Sequence, residues 1–312
     1  MREQPEATIE AHRPRLCGLA YRMLGAASEA EDVVQDAYMR WYAQPRGTVK
    51  NPAGFLTTAV TRLCLDRLRS ARARREVYVG PWLPEPLLTE GEDDRSGAEA
   101  VQPPAEADLL MAETVSAALL TAMEQLSPLE RAVYLLREVF DYSHTEVGEI
   151  VGRTETACRQ VHARARRAMK AARPRFSVDP DEHRRLLDGF IDACRGGDLP
   201  GLVALLSEDV VAQSDGGGVV SAARRVIEGP DAVAKLYIGL TRQLSGATQV
   251  LVRTVNGRPA ILIAEGGVLV SVIQITAEDG RISSIIAVLN PHKLAHLARA
   301  LGFRTVEDRR AG

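Results

Sequence analysis

The chain has 312 residues, of which 46% are hydrophobic and 26% charged, and a formal net charge of −2. That length suggests two or three domains rather than one large core, and an ordinary apolar share excludes a wholly disordered chain. Its apolar runs are too short to span a bilayer and the opening MREQPEATIEAHRPR lacks a secretory apolar stretch, so a soluble cytoplasmic protein without membrane attachment is expected.

The N-terminal part is helical in pattern. Leu16, Leu19, Ala20, Met23 and Leu24 recur at three- and four-residue steps, and Gly25 closes that helix. Ser28 followed by Glu31 predicts a capping box for the next helix, with Val33, Val34, Ala37, Tyr38 and Trp41 as its apolar stripe. A loop over Gln44–Pro52 leads to a third helix that ends in an arginine-rich stretch near Arg74.

From Glu76 to about Asp108 the chain reads as an acidic, proline-rich linker. Within it, Trp82-Leu83-Pro84-Glu85-Pro86 favours an extended segment docked on a surface. Helical pattern resumes at Leu109 and runs to about Ala172. Ser127-Pro128 starts one helix. Asp141–Met169 reads as helix, short turn at Gly152, cap at Thr154, second helix.

After Pro174 the character changes. Amphipathic helices are predicted over His183–Arg195, Leu199–Leu206 and Pro230–Leu244, and strands over Val210–Ser214, Gln249–Val255, Ala260–Ala264, Val268–Thr276 and Ile282–Leu289. Asn256-Gly257, Gly266-Gly267 and Asp279-Gly280 are the turns a meander needs. Helices followed by an antiparallel sheet make a separate α+β domain.

Charge is uneven along the chain. Basic residues gather in Arg62–Arg75 and Arg153–Arg175, and acidic residues in Glu85–Glu113, so local nucleic-acid-binding faces fit a near-neutral total. The second helix of the helix-turn-helix pattern would present Thr154, Glu155, Thr156, Arg159 and Gln160 to base edges, since arginine forks onto guanine and glutamine onto adenine. Arg164, Arg166, Arg167 and Lys170 add charge for phosphates. Arg62, Arg67, Arg69, Arg72, Arg74 and Arg75, after a loop flanked by Trp41 and Tyr42, suit capture of opened single-stranded DNA. The bland alternatives are a solvated basic helix and plain core packing of at least one of the two aromatics. Cys17, Cys64, Cys158 and Cys194 show no metal or redox spacing and read as buried free thiols; no metal and no cofactor are expected.

These segments resemble a known family. Glu31-Asp32-Val33-Val34-Gln35-Asp36-Ala37-Tyr38 is similar to the region 2 signature of sigma factors, which implies that Glu31, Asp32, Gln35 and Asp36 face the polymerase clamp. Phe55–Asp66 is similar to the helix that reads and melts the −10 element, although Thr57 and Arg62 differ from its commonest aromatic and asparagine. Ser127–Val133, Leu136–Phe140 and Thr154–Gln160 resemble region 4, which holds the −35 element. Order and spacing match the extracytoplasmic-function group.

Trp82–Pro86, Asp215-Gly216-Gly217-Gly218 and Asn290-Pro291-His292-Lys293-Leu294 resemble the marks of a subgroup with a fused SnoaL-like domain that modulates activity. Val219 and His292 depart from the usual lysine and acidic residue.

The expected fold is therefore two all-α DNA-binding domains plus a C-terminal α+β SnoaL-like (NTF2-like) cone. The expected domains are 1–75 (region 2), 76–108 (linker), 109–173 (region 4), 179–300 (SnoaL-like) and 301–312 (flexible tail). The expected function is promoter-directed initiation with core RNA polymerase, bound through clamp and flap, and with promoter DNA. Trp82, Pro84, Asp215, Gly216, Gly217, Gly218, Asn290, Pro291 and Lys293 are expected to make regulatory contacts between domains, and no residue is expected to be catalytic. A small molecule at the C-terminal domain, a ligand-responsive one-component regulator, and an isomerase or cyclase using Asp215 and His292 stay open as alternatives.

Overall fold

The computed structural model describes residues 11–45, 48–75, 78–89, 116–172 and 179–305, with backbone only for 71–75 and 172. The chain divides into two compact units, Met1–Val77 with Pro104–Arg173, and Tyr78–Pro103 with Pro174–Gly312. Residues 78–89, the described part of the expected linker, thus belong to the C-terminal unit.

The first unit is helical: α1 (Arg13–Leu24), α2 (Ala27–Tyr42), α3 (Pro52–Arg75), α4 (Ala117–Met123), α5 (Pro128–Glu138), α6 (His144–Val151) and α7 (Glu155–Ala172). Leu16, Leu19 and Met23 of α1 meet Val33, Val34 and Ala37 of α2 and Leu56, Val60 and Cys64 of α3 in a buried core. Gly25 ends α1 in the left-handed region at φ 71°. The capping box expected at Ser28 is not formed, because α2 starts at Ala27 behind Ala26 with no side-chain cap. Ser127 and Ser143 do form such boxes, with Glu130 and Glu146.

Arg131 ties this unit together. Its guanidinium is buried and donates to the carbonyls of Met123 and of Met23 (2.7 Å each), besides pairing with Glu124 at 2.7 Å. It thereby satisfies the C-terminal carbonyls of α1 and α4 at once.

The second unit contains α8 (Pro180–Gly196), α9 (Leu199–Leu205), β1 (Leu206–Asp215), β2 (Ile227–Glu228), α10 (Pro230–Thr241), β3 (Thr248–Val255), β4 (Arg258–Glu265), β5 (Val268–Glu278), β6 (Arg281–Val288) and α11 (Pro291–Ala300). The strands form one sheet in the order β2-β1-β6-β5-β4-β3. β3 to β6 are an antiparallel meander, and β1 runs parallel to β6. Asn256, Gly257, Gly266, Gly267, Asp279 and Gly280 all have positive φ, as type I′ hairpin turns demand. Register shifts in the β4–β5 and β5–β6 pairs bend the sheet.

Phe190, Leu202, Val233, Ile261, Ile273 and Ile285 belong to the core between the helices α8 to α10 and the concave face. Leu294 and Leu297 of α11 lie outside that core, where α11 packs on β5. This is a separate α+β unit, as expected for the residues after Pro174. Two elements went unread from sequence, β2 and α11, and α10 stops at Thr241 rather than at Leu244. No helix of the described residues is long and apolar enough to cross a membrane. All four cysteines are free and buried.

Candidate functional site

The helix-turn-helix is built by local chemistry. Gly152 ends α6 at φ 67°, and Thr154 Oγ1 accepts from Ala157 N at 3.3 Å to open α7. A side chain at Gly148 would meet Arg153 O at 2.6 Å, so the turn needs glycine there. Val147, Ile150, Cys158, Val161, Ala165 and Met169 are buried. Thr154, Thr156, Arg159, Gln160, Arg164, Arg166 and Arg167 are all exposed.

Surface carboxylates orient several of these groups. Glu155 accepts from Thr145 at 2.9 Å and pairs with Arg159, and those contacts, Thr145 first, hold its carboxyl below the usual carboxylate range. Arg164 reaches Glu130 at 3.2 Å and Arg166 reaches Glu138 at 3.7 Å. Each such exposed pair contributes little stability, about 0–1 kcal/mol, so a competing anion can take over these arginines at small cost.

α2 turns Val33, Val34, Ala37 and Tyr38 inward, which leaves Glu31, Asp32, Gln35 and Asp36 exposed together. The arginines of α3 do not share one environment. Arg67 reaches back to Glu29 O (3.1 Å), Asp36 (3.4 Å) and Asp32 (3.7 Å), so it braces the acidic helix. Arg69 is exposed beside Asp66. Arg62 donates to Ile150 O at 3.0 Å and Glu149 O at 3.1 Å, capping α6. The side chains of Arg72, Arg74 and Arg75 lie outside the described residues. Trp41 packs edge-on to Phe55 with centroids 5.7 Å apart, whereas Tyr42 is exposed.

In the second unit the three tail motifs meet at Asp215, which is fully buried at the end of β1. Its Oδ1 accepts from Tyr78 Oη (2.6 Å) and Gly217 N (3.0 Å), and its Oδ2 from Leu83 N (2.9 Å) and Lys293 Nζ (2.7 Å). Lys293 also donates to Leu83 O, and its ammonium lies 3.9 Å from the Trp82 ring centroid. Asn290 caps α11 by accepting from His292 N at 3.1 Å, and its amide donates to Tyr78 Oη at 3.1 Å.

The glycines after Asp215 form a hydrogen-bonded turn, in which Val219 N (3.0 Å) and Val220 N (3.2 Å) donate to Gly216 O. Gly217 sits at φ +61°, and a side chain on it would come within 2.3 Å of Asn290 Nδ2. Pro84 and Pro291 are buried beside the cluster residues. Farther along, Thr89 N donates to Thr254 O (2.9 Å) and Asn256 N to Leu87 O (2.8 Å), so residues 78–89 are strapped to the sheet from Asp215 to the end of β3. Leu83, Leu87 and Leu88 are buried by this docking, each contributing about 1.5–3 kcal/mol.

Asp215 has four donors on its two oxygens and His292 is exposed, so they do not form an acid–base pair in an apolar cone. Among the described residues no group of His, Cys, Asp and Glu could hold a metal ion. Sequence reasoning missed Tyr78, whose only signal was an aromatic four residues before Trp82.

Residues 8–74 match the family description Sigma-70 region 2, and residues 116–169 match Sigma-70, region 4. The chain is 36% identical to the ECF RNA polymerase sigma factor SigJ of Mycobacterium tuberculosis over 297 residues, covering 91% of each protein. It is 35% identical to the probable ECF RNA polymerase sigma factor SigI of the same species, covering 95% of this chain and 97% of that one. The crystal structure of Mycobacterium tuberculosis extracytoplasmic function sigma factor SigJ superposes with a TM-score of 0.72 at 31% identity, covering 93% of this chain and 98% of that chain. With its two helical regions and its strapped α+β unit, this chain belongs to the ECF RNA polymerase sigma factors.

Proposed function

We propose that α2 presents Glu31, Asp32, Gln35 and Asp36 to the clamp of core RNA polymerase while α3 engages the −10 element. In the same complex α7 reads the −35 duplex through Thr154, Glu155, Thr156, Arg159 and Gln160, and Arg164, Arg166 and Arg167 hold phosphates. The observation that carries this reading is the N-terminal half of α7. It is capped by Thr154, carries exposed Arg159 and Gln160 on adjacent positions, and leads into a basic second half. Arg62 must leave the α6 carbonyls to reach DNA, and a phosphate is the stronger, charged acceptor.

The second part of the proposal concerns the C-terminal unit. It holds residues 78–89, which follow α3 almost directly, through the Asp215 cluster and the β3 end. A segment held there cannot serve as free connection between α3 and α4. Docking and release of the strap therefore set how far apart the −10 and −35 modules can reach. This is a two-state element whose balance any contact that prefers one state can shift.

The test is transcription by purified full-length protein with sigma-free core polymerase on a promoter library. We expect transcripts from a discrete promoter set, and altered output or polymerase affinity when the chain is truncated after Ala172. Absence of transcripts defeats the first part. Unchanged output and affinity in the truncated chain defeats the second.

A further inference from the structure

Arg159, on the exposed side of α7, is held by a chain of contacts that begins on α6. Ser143 and Glu146 close a capping box around the first turn of α6, which fixes that turn at its N-terminal end. Thr145 lies within it, and its hydroxyl takes no part in the box. Thr145 Oγ1 donates instead to Glu155 Oε2 at 2.9 Å, and Glu155 Oε1 accepts from Arg159 Nη2 at 2.5 Å. The two oxygens of one carboxylate thus join a residue of α6 to a residue one helical turn along α7.

The close approach of the two helices allows this reach. Gly148 packs against Arg153 O, and its own carbonyl accepts from Arg153 N at 2.9 Å. Val147 and Ile150 of α6 and Cys158 and Val161 of α7 are buried. Thr145 therefore stands on a rigid corner, and as a β-branched residue it has few rotamers to choose from. Glu155 and Arg159 are the opposite case: with side chains 42% and 65% exposed, they would sample many rotamers if nothing held them. A fork that must meet guanine O6 and N7 together gains from arriving already oriented. Among the described residues the contact with Glu155 takes Nη2 alone, which leaves Nη1 and a second N–H of Nη2 for a base.

We propose that Thr145 is a positioning residue for base recognition: through Glu155 it fixes the direction in which Arg159 presents its guanidinium to a guanine edge. This rests on the reading of α7 as the −35 helix. Thr145 itself touches no base. Its contribution is to specificity at one base pair rather than to affinity for DNA at large, because a phosphate attracts arginine from any direction whereas a guanine edge demands one. Removing the hydroxyl leaves Glu155 free to swing and to take Arg159 with it.

The test uses holoenzyme assembled from the full chain and core polymerase, with promoters randomised over the −35 element. Arg159→Ala should relax the preference for guanine at one position. Thr145→Val keeps the branched shape and removes the hydroxyl. It should lower the same preference about three- to ten-fold, part of what a bidentate pair supplies. Preferences at the other positions, the salt slope and the melting temperature should stay as in the parent. Thr145→Ser restores the donor and should return the preference to within about two-fold of the parent. In the Arg159→Ala background, Thr145→Val should change nothing further. Unchanged preference in Thr145→Val, a uniform loss over all sequences, no rescue by serine, or an additional loss in the double variant would each overturn the role of Thr145 while Arg159 keeps its own. If Arg159→Ala leaves every preference intact, the reading of α7 and this inference fall together.

Discussion

The surface of α7 and the cluster around Asp215 use similar chemistry, cations beside carboxylates, to opposite ends. On α7 the pairs Arg159–Glu155, Arg164–Glu130 and Arg166–Glu138 are half-solvated, and each arginine can exchange its partner for another anion. At Asp215 the pair with Lys293 is buried, and every oxygen of the carboxylate is spoken for by strap, turn or α11. Burial is what converts a replaceable contact into a structural commitment, because neither ion can return to water alone.

The strongest way to break the comparison is at Lys293. Lys293→Met leaves Asp215 buried without its counter-ion and should cost about 3–5 kcal/mol, read by chemical denaturation and by lost hydrogen-exchange protection at the Leu83 and Thr89 amides. Adding Asp215→Asn should recover part of that loss, since the pair is coupled. A Lys293→Met protein as stable as the parent would show the cluster to be dispensable.

On the exposed side, Arg159→Ala should leave the melting temperature unchanged and weaken −35 duplex binding by about 1–3 kcal/mol, relaxing preference at one base position. Uniform weakening across all sequences, with a smaller salt slope, would reassign Arg159 from base to phosphate.

The smallest effect is one of pH. His183 is buried on α8 with Nε2 against Ile275 O at 3.2 Å and Nδ1 without a partner. Burial, the largest influence, depresses its pKa below the ordinary 6.5, and nearby Arg258 adds to the depression. Below that ordinary value the unfolded chain takes a proton that the folded chain refuses, so stability declines as pH falls below 6.5 and is unaffected above it. The slope for one proton is at most about 1.4 kcal/mol per pH unit. His183→Gln should flatten it in melts between neutral and mildly acidic pH; an unchanged slope would place the titration elsewhere.

Local signals carried much of the fold. Apolar spacing together with caps, prolines and glycine turns located α1, α2, α3 and α5 to α10, and the Asn-Gly, Gly-Gly and Asp-Gly steps located all three hairpins, because periodicity, capping and positive φ are properties of neighbouring residues. The residues of the Asp215 cluster were legible as three separate motifs. That Tyr78 joins them was not, since nothing within a few residues of it announces a partner at Asp215. The same limit explains Arg62 and Arg67, which read as one basic stripe. In the folded chain they cap α6 and brace α2, because five residues along a helix of 3.6 per turn rotate a side chain by about 140°, toward a different neighbour.

What sequence alone determined, then, is where helices, turns and exposed basic faces lie, and the family that follows from their order. Only the tertiary structure decided the parallel pairing of β1 with β6 and the binding of residues 78–89 to the C-terminal unit. Each of these rests on contacts between distant segments, whose energy comes from burial and shared hydrogen bonds rather than from any local preference of the chain.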